Sequence, residues 1–214
     1  MTSPEPEKVT LEKQLGDRTG PLVLVWSEYP VIPGPAGRLL QHRARVRLES
    51  ARQLLPDARR QRALAEKAGG FAPYELQWTV AVTWRHRGLL SLVEDRTLRQ
   101  GLRGTCRSRR SVTLQEQTGQ PVPLARLIDL PRSRKRILAR VLVQAEALNA
   151  DGCSLYRDWR RRCIVGFHPE RYYLTGEGIV IWYPWLFLGP AGIGSPSFLV
   201  PWSDLDMRQP WSLS

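Results

Sequence analysis

The side chains of this 214-residue chain that could carry acid–base or metal chemistry are few and far apart in the sequence. Of its three histidines, His42 falls in a predicted helix, His86 at the end of a hairpin strand and His168 in a loop. No HxxxH or HExxH motif and no His/Cys cluster occurs, so a zinc hydrolase would have no set of metal ligands. The acid–base groups that remain are His168, Glu170 and Asp204, and an unrecognised hydrolase acting on glycan or peptide would depend on them.

Two other segments near the C-terminus resemble chemical sites only superficially. Residues 192–195, Gly-Ile-Gly-Ser, lack the GxSxG and GxxxxGK patterns of nucleophile and phosphate loops, and no helix is predicted after them. Asp204 and Asp206 could bind a divalent ion together with backbone oxygens, but the charged end of a strand explains the pair more simply. We therefore predict no catalytic residue, no metal site and no cofactor.

The side chains best suited to bind another molecule are aromatic and lie close to Pro184 and a glycine-rich stretch. Alternation along the predicted strand assigns some of these rings to the core. Rings on a Pro- and Gly-rich corner are also good anchors for protein or glycan partners. The predicted binding residues are Trp182, Tyr183, Trp185, Phe187 and Trp202.

The charge of the chain favours an anionic partner. It carries 32 Lys and Arg against 20 Asp and Glu, a formal net charge of +12. Such a charge attracts nucleic acid, anionic lipid or anionic wall polymers. Only four of the cations are lysines, and a bias towards Arg, Pro, Gly and Trp is also what a GC-rich genome produces, so both origins stay open. The arginine clusters lie in residues 103–110, 132–140 and 157–162.

Hydrophobic periodicity predicts the elements that position these residues. One helix covers residues 38–67, with a break near Pro56 and an end at Gly69-Gly70, and an amphipathic helix covers residues 131–149. Strict alternation in residues 74–87 places Trp78 and Trp84 on one buried face. The other predicted strands cover residues 22–32, 89–94, 108–117, 171–175, 178–183 and 198–202.

This order of elements predicts an α+β fold, a mainly antiparallel sheet with two or three helices packed on it. We predict a flexible N-terminal arm over residues 1–20, for which an added strand with poor order is the alternative, and a single domain over residues 21–208. The cysteines form no CxxC pair, so we predict free thiols at Cys106, Cys153 and Cys163. In an oxidising compartment a bridge between Cys153 and Cys163 is the alternative.

The C-terminal third carries a series of short motifs in a fixed order. They are Tyr172-Tyr-Leu-Thr175, Glu177-Gly178, Ile179-Val-Ile-Trp182, Pro184-Trp185, Gly189-Pro190 with Gly192, and Val200-Pro-Trp-Ser-Asp-Leu205. Upstream, Glu28-Tyr-Pro30, Ser91-Leu92, Thr118-Gly119 and Leu127-Ile128-Asp129 follow the same pattern. The series resembles the RsiV-like extracytoplasmic domain of lysozyme-sensing anti-sigma factors, which is also similar to the non-catalytic N-terminal region of PdaC-type peptidoglycan deacetylases.

The resemblance implies a non-catalytic α+β domain of the cell envelope that binds a protein or a cell-wall ligand. This chain departs from the pattern at two places. Residues 101–105 lack the His of a Gly-Ala-His stretch, and Trp185-Leu186 stand where relatives often have Tyr-Glu. If the corner after Pro184 binds anything, it should therefore do so with apolar surface.

We therefore predict a binding or sensor-type module that recognises a protein or an anionic cell-wall ligand. The alternatives are the unrecognised hydrolase and a basic nucleic-acid-binding protein. The latter ranks lower because the resemblance carries no such implication, and no helix-turn-helix, zinc-finger or RNA-binding motif occurs. Lysozyme is disfavoured as a ligand because it is itself strongly basic. A full-length chain would be cytoplasmic, since it has no signal peptide and no predicted transmembrane segment; a removed leader or anchor is the alternative.

Overall fold

The computed structural model describes residues 7–65 and 70–208, and its fold is α+β, as predicted. The strands are β1 (Lys8–Asp17), β2 (Gly20–Pro30), β3 (Tyr74–His86), β4 (Leu89–Gln100), β5 (Thr105–Gln115), β6 (Tyr172–Leu174), β7 (Gly178–Trp182) and β8 (Ser197–Pro201). The helices are α1 (Gly34–Ser50), α2 (Leu55–Ala65), α3 (Leu124–Leu127), α4 (Leu130–Ala150) and α5 (Trp159–Val165). The strands form a five-stranded sheet in the order β1-β2-β3-β4-β5 and a three-stranded sheet in the order β6-β7-β8.

The residues divide into two compact units. One lies within residues 1–81 and 94–107, the other within residues 82–93 and 108–214, and strands β3, β4 and β5 each contribute residues to both. The single domain over residues 21–208 stays a prediction. No helix in the described part of the chain is long and apolar enough to cross a membrane.

The first unit begins with a hairpin. Residues 8–17, which belong to the predicted N-terminal arm, form strand β1. This strand pairs antiparallel with β2. Residues 1–6 lie outside the described part. Pairing satisfies the backbone groups of β1 that point towards β2, and Leu15 is buried in the core. These interactions explain why a polar segment with little hydrophobic pattern is ordered as a strand.

Strand β2 pairs in parallel with β3 over residues 23–28 and 74–79. A parallel pair requires a long crossover connection, and α1 and α2 supply it. The predicted break near Pro56 is confirmed, because a 3₁₀ turn over Ala51–Leu54 separates the two helices. The predicted helix end at Gly69 falls outside the described residues. The core of this unit contains Leu15, Leu22, Val23, Val25, Ala51, Ala58, Tyr74, Leu76, Trp78 and Leu98.

One buried hydroxyl in β2 gives a stability prediction. Ser27 is 0% exposed and its Oγ has no hydrogen-bond partner. Removing an unsatisfied buried polar atom relieves its desolvation penalty, so Ser27→Ala is expected to raise the free energy of unfolding by about 1 kcal/mol. Urea denaturation measures the change.

Ser91→Ala provides a matched control of opposite sign. Ser91 is equally buried, but its Oγ accepts the Leu174 N–H at 2.8 Å. Losing this acceptor should lower the free energy of unfolding by about 1–3 kcal/mol. A loss of stability in both variants would contradict the assignment of Ser27.

The second unit is built around α4 and the antiparallel sheet β6-β7-β8. Helix α4 buries the stripe Ser133, Ile137, Val141 and Ala145. Its Gln144 side chain continues the sheet hydrogen bonding at β8, because Nε2 donates to the Leu199 carbonyl at 2.7 Å and Oε1 accepts the Leu199 N–H at 3.1 Å. The helix is thereby fixed along the edge of the sheet.

The two tryptophans of β3 have different environments. Trp78 is buried in the core of the first unit, as predicted, but the prediction of a buried Trp84 is wrong, because that side chain is only half-buried. Strand β3 passes from the first unit to the second between Ala81 and Val82. Trp84 therefore lies at the margin of the second core, 5.9 Å from the ring of Trp202.

Candidate functional site

Two of the predicted binding residues, at the end of β7, are core residues. Trp182 is 6% exposed and its indole N–H donates to Ser111 Oγ at 2.8 Å. Tyr183 is 0% exposed, and its hydroxyl donates to the Cys163 carbonyl at 2.7 Å. Burial holds the pKa of the Tyr183 hydroxyl above its usual range, so the group stays a neutral donor. Neither ring can be an anchor on the molecular surface.

The chain then turns sharply and exposes an apolar side chain. The Phe187 N–H donates to the Pro184 carbonyl at 3.1 Å, which closes a turn with Leu186 at its tip. Leu186 has φ +64°, in the left-handed region that non-glycine residues rarely occupy, and it is 43% exposed. Trp185 is half-buried, with its indole N–H donated to the Ala191 carbonyl at 3.2 Å.

Phe187 attaches this turn to α5. Its ring stacks on Tyr183, with the centroids 6.1 Å apart and the planes at 15°. A Cβ atom added at Gly166 would lie 2.3 Å from the Phe187 ring, so the absence of a side chain there makes room for it. Arg162 Nη1 donates to the Phe187 carbonyl at 3.1 Å. The turn is therefore held in place by the core on one side and by α5 on the other.

The end of α5 adds apolar and basic side chains to this surface. Val165 is 68% exposed and Ile164 43% exposed, directly before the glycine that contacts Phe187. The exposed cations in and just before α5 are Arg157, Arg160 and Arg161, which we call the basic margin. We call the surface of Val165, Trp185 and Leu186 the corner surface.

Trp202 lies at the opposite end of β7 from this corner. Strand β7 runs from Gly178, paired with Pro201, to Trp182, paired with Ser197. Trp202 is thus displaced from the corner by the length of a five-residue strand, roughly 13 Å at 3.3 Å per residue. Its indole N–H donates to the Gly176 carbonyl at 3.2 Å. The five predicted binding residues therefore separate into two buried rings, two rings at the corner and one distant ring.

The three acid–base candidates do not form one site. His168 Nδ1 accepts the Glu170 N–H at 3.3 Å in the turn before β6, near the Trp182 end of β7. Asp204 follows Trp202 at the other end and pairs with Arg140. The hydrogen bond from Arg140 lowers the pKa of the Asp204 carboxyl, so this group stays ionised rather than acting as a general acid. Among the residues that the structure describes, no hydrogen bond or ion pair joins His168 or Glu170 to Asp204.

The structure also locates the thiols and tests for metal ligands. All three cysteines are free, with Cys106 exposed, Cys153 half-buried and Cys163 buried. Burial raises the pKa of the Cys163 thiol to about 11, which keeps it protonated and inert at neutral pH. Within residues 7–65 and 70–208, no group of three His, Cys, Asp or Glu side chains could hold a metal ion.

Two features of the second unit have no signal in the sequence. Leu186 is an ordinary residue type in an unusual backbone conformation, which periodicity cannot indicate. For α5, the residue types indicate only about one helical turn around Tyr156 and Trp159, whereas the helix spans seven residues and carries the exposed Ile164 and Val165. Contact with Phe187 brings this helix into the site.

The fold resembles structures of an uncharacterised domain family. No protein-family model matches the chain. A comparison with curated proteins gives no match either. The structure of a DUF3298 family protein from Pseudomonas aeruginosa PAO1 aligns at 15% identity, covering 97% of this chain and 96% of that one, with a TM-score of 0.59. A member of the DUF3298 family from Bacteroides fragilis NCTC 9343 aligns at 14% identity, covering 92% of this chain and 90% of that one, with a TM-score of 0.56. At these identities the similarity is one of fold.

Proposed function

We propose that this chain is a non-catalytic binding module of the RsiV-like type, located at the cell envelope, which binds a protein partner through the corner surface. The observation that carries the proposal is Leu186, an apolar side chain 43% exposed on a left-handed backbone. That conformation costs a non-glycine residue about 1–2 kcal/mol. Glycine or asparagine would fit the turn more easily. A strained position that also displays an apolar side chain is a feature of recognition sites.

The rigidity of the corner supports the same function. The Tyr183–Phe187 stack and the Arg162 hydrogen bond fix the backbone on both sides of Leu186. A preorganised anchor loses little conformational entropy when it enters a pocket, so more of its burial contributes to affinity. Trp185 and Val165 provide adjoining apolar area.

The basic margin favours a partner with acidic residues around its pocket. Arg157 and Arg161 are exposed and make no ion pair with the described residues, while Arg160 pairs with Glu146 and lies 5.0 Å above the Trp159 ring. Opposite charges around an apolar anchor accelerate encounter and select the partner. Lysozyme, which is basic, would be repelled by a chain of net charge +12.

Leu186→Gly separates binding from stability. Glycine adopts the left-handed conformation without strain, so we expect the free energy of unfolding to be unchanged or up to about 1 kcal/mol higher. Removal of the anchor should weaken binding of the partner at least about tenfold, a loss of roughly 1.4 kcal/mol. Thermal unfolding and titration of the same two proteins measure both effects.

Site-specific photo-cross-linking in cells identifies the partner used in that titration. A photo-reactive residue in place of Val165, 68% exposed, is expected to give an adduct with one acidic protein. The matched control is the same residue in place of Val46, 52% exposed on α1. The yield of the adduct should fall clearly when Leu186→Gly is added. Equal adducts at both positions, or an undiminished adduct in Leu186→Gly, would refute the proposal. Tight binding of lysozyme at low salt would refute the acidic partner.

A further inference from the structure

The outer edge of β1 is open for pairing. Among the described strands, β1 is the terminal strand of the five-stranded sheet, and only its other edge pairs, with β2. The Glu7 carbonyl accepts the Val31 N–H at 2.7 Å, so the odd-numbered residues bond to β2, while Lys8, Thr10 and Glu12 direct their N–H and C=O groups away from it. A ten-residue strand with such an edge is a template for another strand.

The sequence of this edge is complementary to itself when two copies run antiparallel. Residues 7–13 read Glu-Lys-Val-Thr-Leu-Glu-Lys. We propose that two copies of the chain form a symmetric dimer by pairing β1 with β1, with Thr10 opposite Thr10, which joins the two five-stranded sheets into one. On each side of the two-fold axis this register gives the pairs Glu7 with Lys13, Lys8 with Glu12, and Val9 with Leu11.

The backbone groups agree with this register. The outward-facing residues 8, 10 and 12 lie opposite residues 12, 10 and 8 of the second copy, so each can exchange both of its hydrogen bonds across the junction. A shift by one residue would oppose groups that point towards β2 and would move the side chains to the opposite face. A shift by two residues would keep the hydrogen bonds but break every one of the opposite-charge pairs.

The charged side chains of the segment can bind the second copy without losing their present partners. Glu12 is exposed and makes no ion pair with the described residues. Lys8 pairs with Glu28 at 3.2 Å while its side chain stays 44% exposed, and Lys13 pairs with Glu49. An ammonium group has three N–H donors, so each lysine can bond a further carboxylate. The charges of the segment cancel, which makes the junction locally neutral in a chain of net charge +12.

The apolar side chains lie on the face of β1 that is turned towards the core. Val9 and Leu11 are half-buried, and Leu15 on the same face is buried. The odd-numbered residues form the non-hydrogen-bonded pairs of the junction, in which the Cα atoms are about 4.5 Å apart and the side chains are in contact. Each Val9 therefore covers a Leu11 of the second copy, which removes from water apolar surface that one copy leaves exposed.

The helices of the first unit leave room for this junction. Helices α1 and α2 pack on β2. Two β1 strands separate the two β2 strands of the dimer, which places the β2 strands roughly 14 Å apart at about 4.8 Å per strand. This distance exceeds the diameter of a helix with its side chains, about 10–12 Å.

Chemical cross-linking tests the register. Thr10→Cys places two thiols in a hydrogen-bonded pair, with Cα atoms about 5.5 Å apart, so a short bismaleimide should join two copies. Gln14→Cys is the matched control, because this exposed residue lies on the same face but is separated from its counterpart by roughly 26 Å of strand. Both variants carry Cys106→Ser, which removes an exposed thiol. Equal cross-linking at both positions would overturn the register, and its absence at both would overturn the dimer.

Sedimentation of the full chain measures the affinity. We expect a species of twice the 24.4 kDa chain mass. Glu12→Lys opposes two lysines and should weaken dimerisation at least about tenfold, whereas Lys8→Glu/Glu12→Lys restores opposite charges and should recover the affinity to within about threefold. Glu177→Lys changes the net charge equally at an exposed residue outside β1 and should alter the affinity less than about threefold.

Three outcomes of the sedimentation experiment would overturn the inference. The first is a wild-type chain that remains monomeric up to about 100 μM. The second is a double variant as weak as Glu12→Lys, because opposite charges would then not be the reason for the loss. The third is an equal loss in Glu177→Lys, which would show an effect of net charge rather than of the β1 edge.

Discussion

Gly178→Ala is expected to lower the free energy of unfolding of the second unit by at least about 3 kcal/mol. A Cβ atom at this position would lie 2.1 Å from the Val200 carbonyl oxygen, 2.8 Å from its carbon and 2.9 Å from the Pro201 Cα. All three atoms belong to the backbone of β8, so no side-chain rotation relieves the clash. The pairing of β7 with β8 would have to shift, and overpacking against a backbone is among the most destabilising substitutions.

Gly176→Ala is the matched control for this experiment. Gly176 lies in the same turn, and a Cβ there would meet nothing within 4 Å. We expect its free energy of unfolding to change by less than about 1 kcal/mol. Chemical denaturation followed by tryptophan fluorescence distinguishes the two variants. If both variants lost a similar amount of stability, the turn itself, rather than the close approach of β8, would require glycine.

This pair of glycines illustrates how far the sequence could predict the fold. The residue types predict a tight turn containing Gly176 and Gly178, and the register confirms a hairpin of β6 and β7. The different requirements of the two glycines come from β8, which is distant in sequence. Close backbone approaches depend on tertiary pairing, and a local pattern contains no information about them.

The same difference between local sequence patterns and tertiary pairing explains which other predictions of the fold agree with the structure and which do not. The periods of β3 and α4 predicted both elements, because burial on one face is repeated within each segment. For residues 8–17 the sequence leaves an arm and an added strand open, since their partner β2 is needed to decide between them. The half-buried Trp84 was predicted as core because alternation along β3 continues across the boundary between the two units.

The candidate site shows what composition can establish. The cluster of aromatic residues near Pro184 predicts both core rings and binding rings, but composition cannot separate the rings that build the core from those that face solvent. In the structure, burial distinguishes the core rings from those that face solvent. The register of β7 and β8 places Trp202 at the end of β7 opposite to the corner. At the corner of Trp185 and Leu186, where the sequence implies an apolar surface, the exposed side chain is Leu186. Its positive φ angle is not indicated by any sequence pattern.

Tyr183→Ala should be among the most destabilising single substitutions at the predicted binding residues. Tyr183 is 0% exposed, packs on Phe187 and contacts the Phe198 ring edge-on at 5.8 Å. Truncation of a buried aromatic side chain to alanine leaves a cavity and costs about 3–5 kcal/mol. Tyr183→Phe keeps the ring and removes only the hydroxyl that donates to the Cys163 carbonyl, so a loss of about 1–2 kcal/mol is expected.

These variants also test the division between structural and binding residues. Because the Tyr183 side chain is buried beneath the corner, Tyr183→Phe should leave the affinity for the cross-linked partner within about twofold, despite its lower stability. Leu186→Gly should show the reverse, with full stability and at least tenfold weaker binding. Titration at a temperature where every variant is folded compares them directly. If Tyr183→Phe weakened binding as strongly as Leu186→Gly, the anchor would not be Leu186, and the partner would contact the β7 end of the core instead.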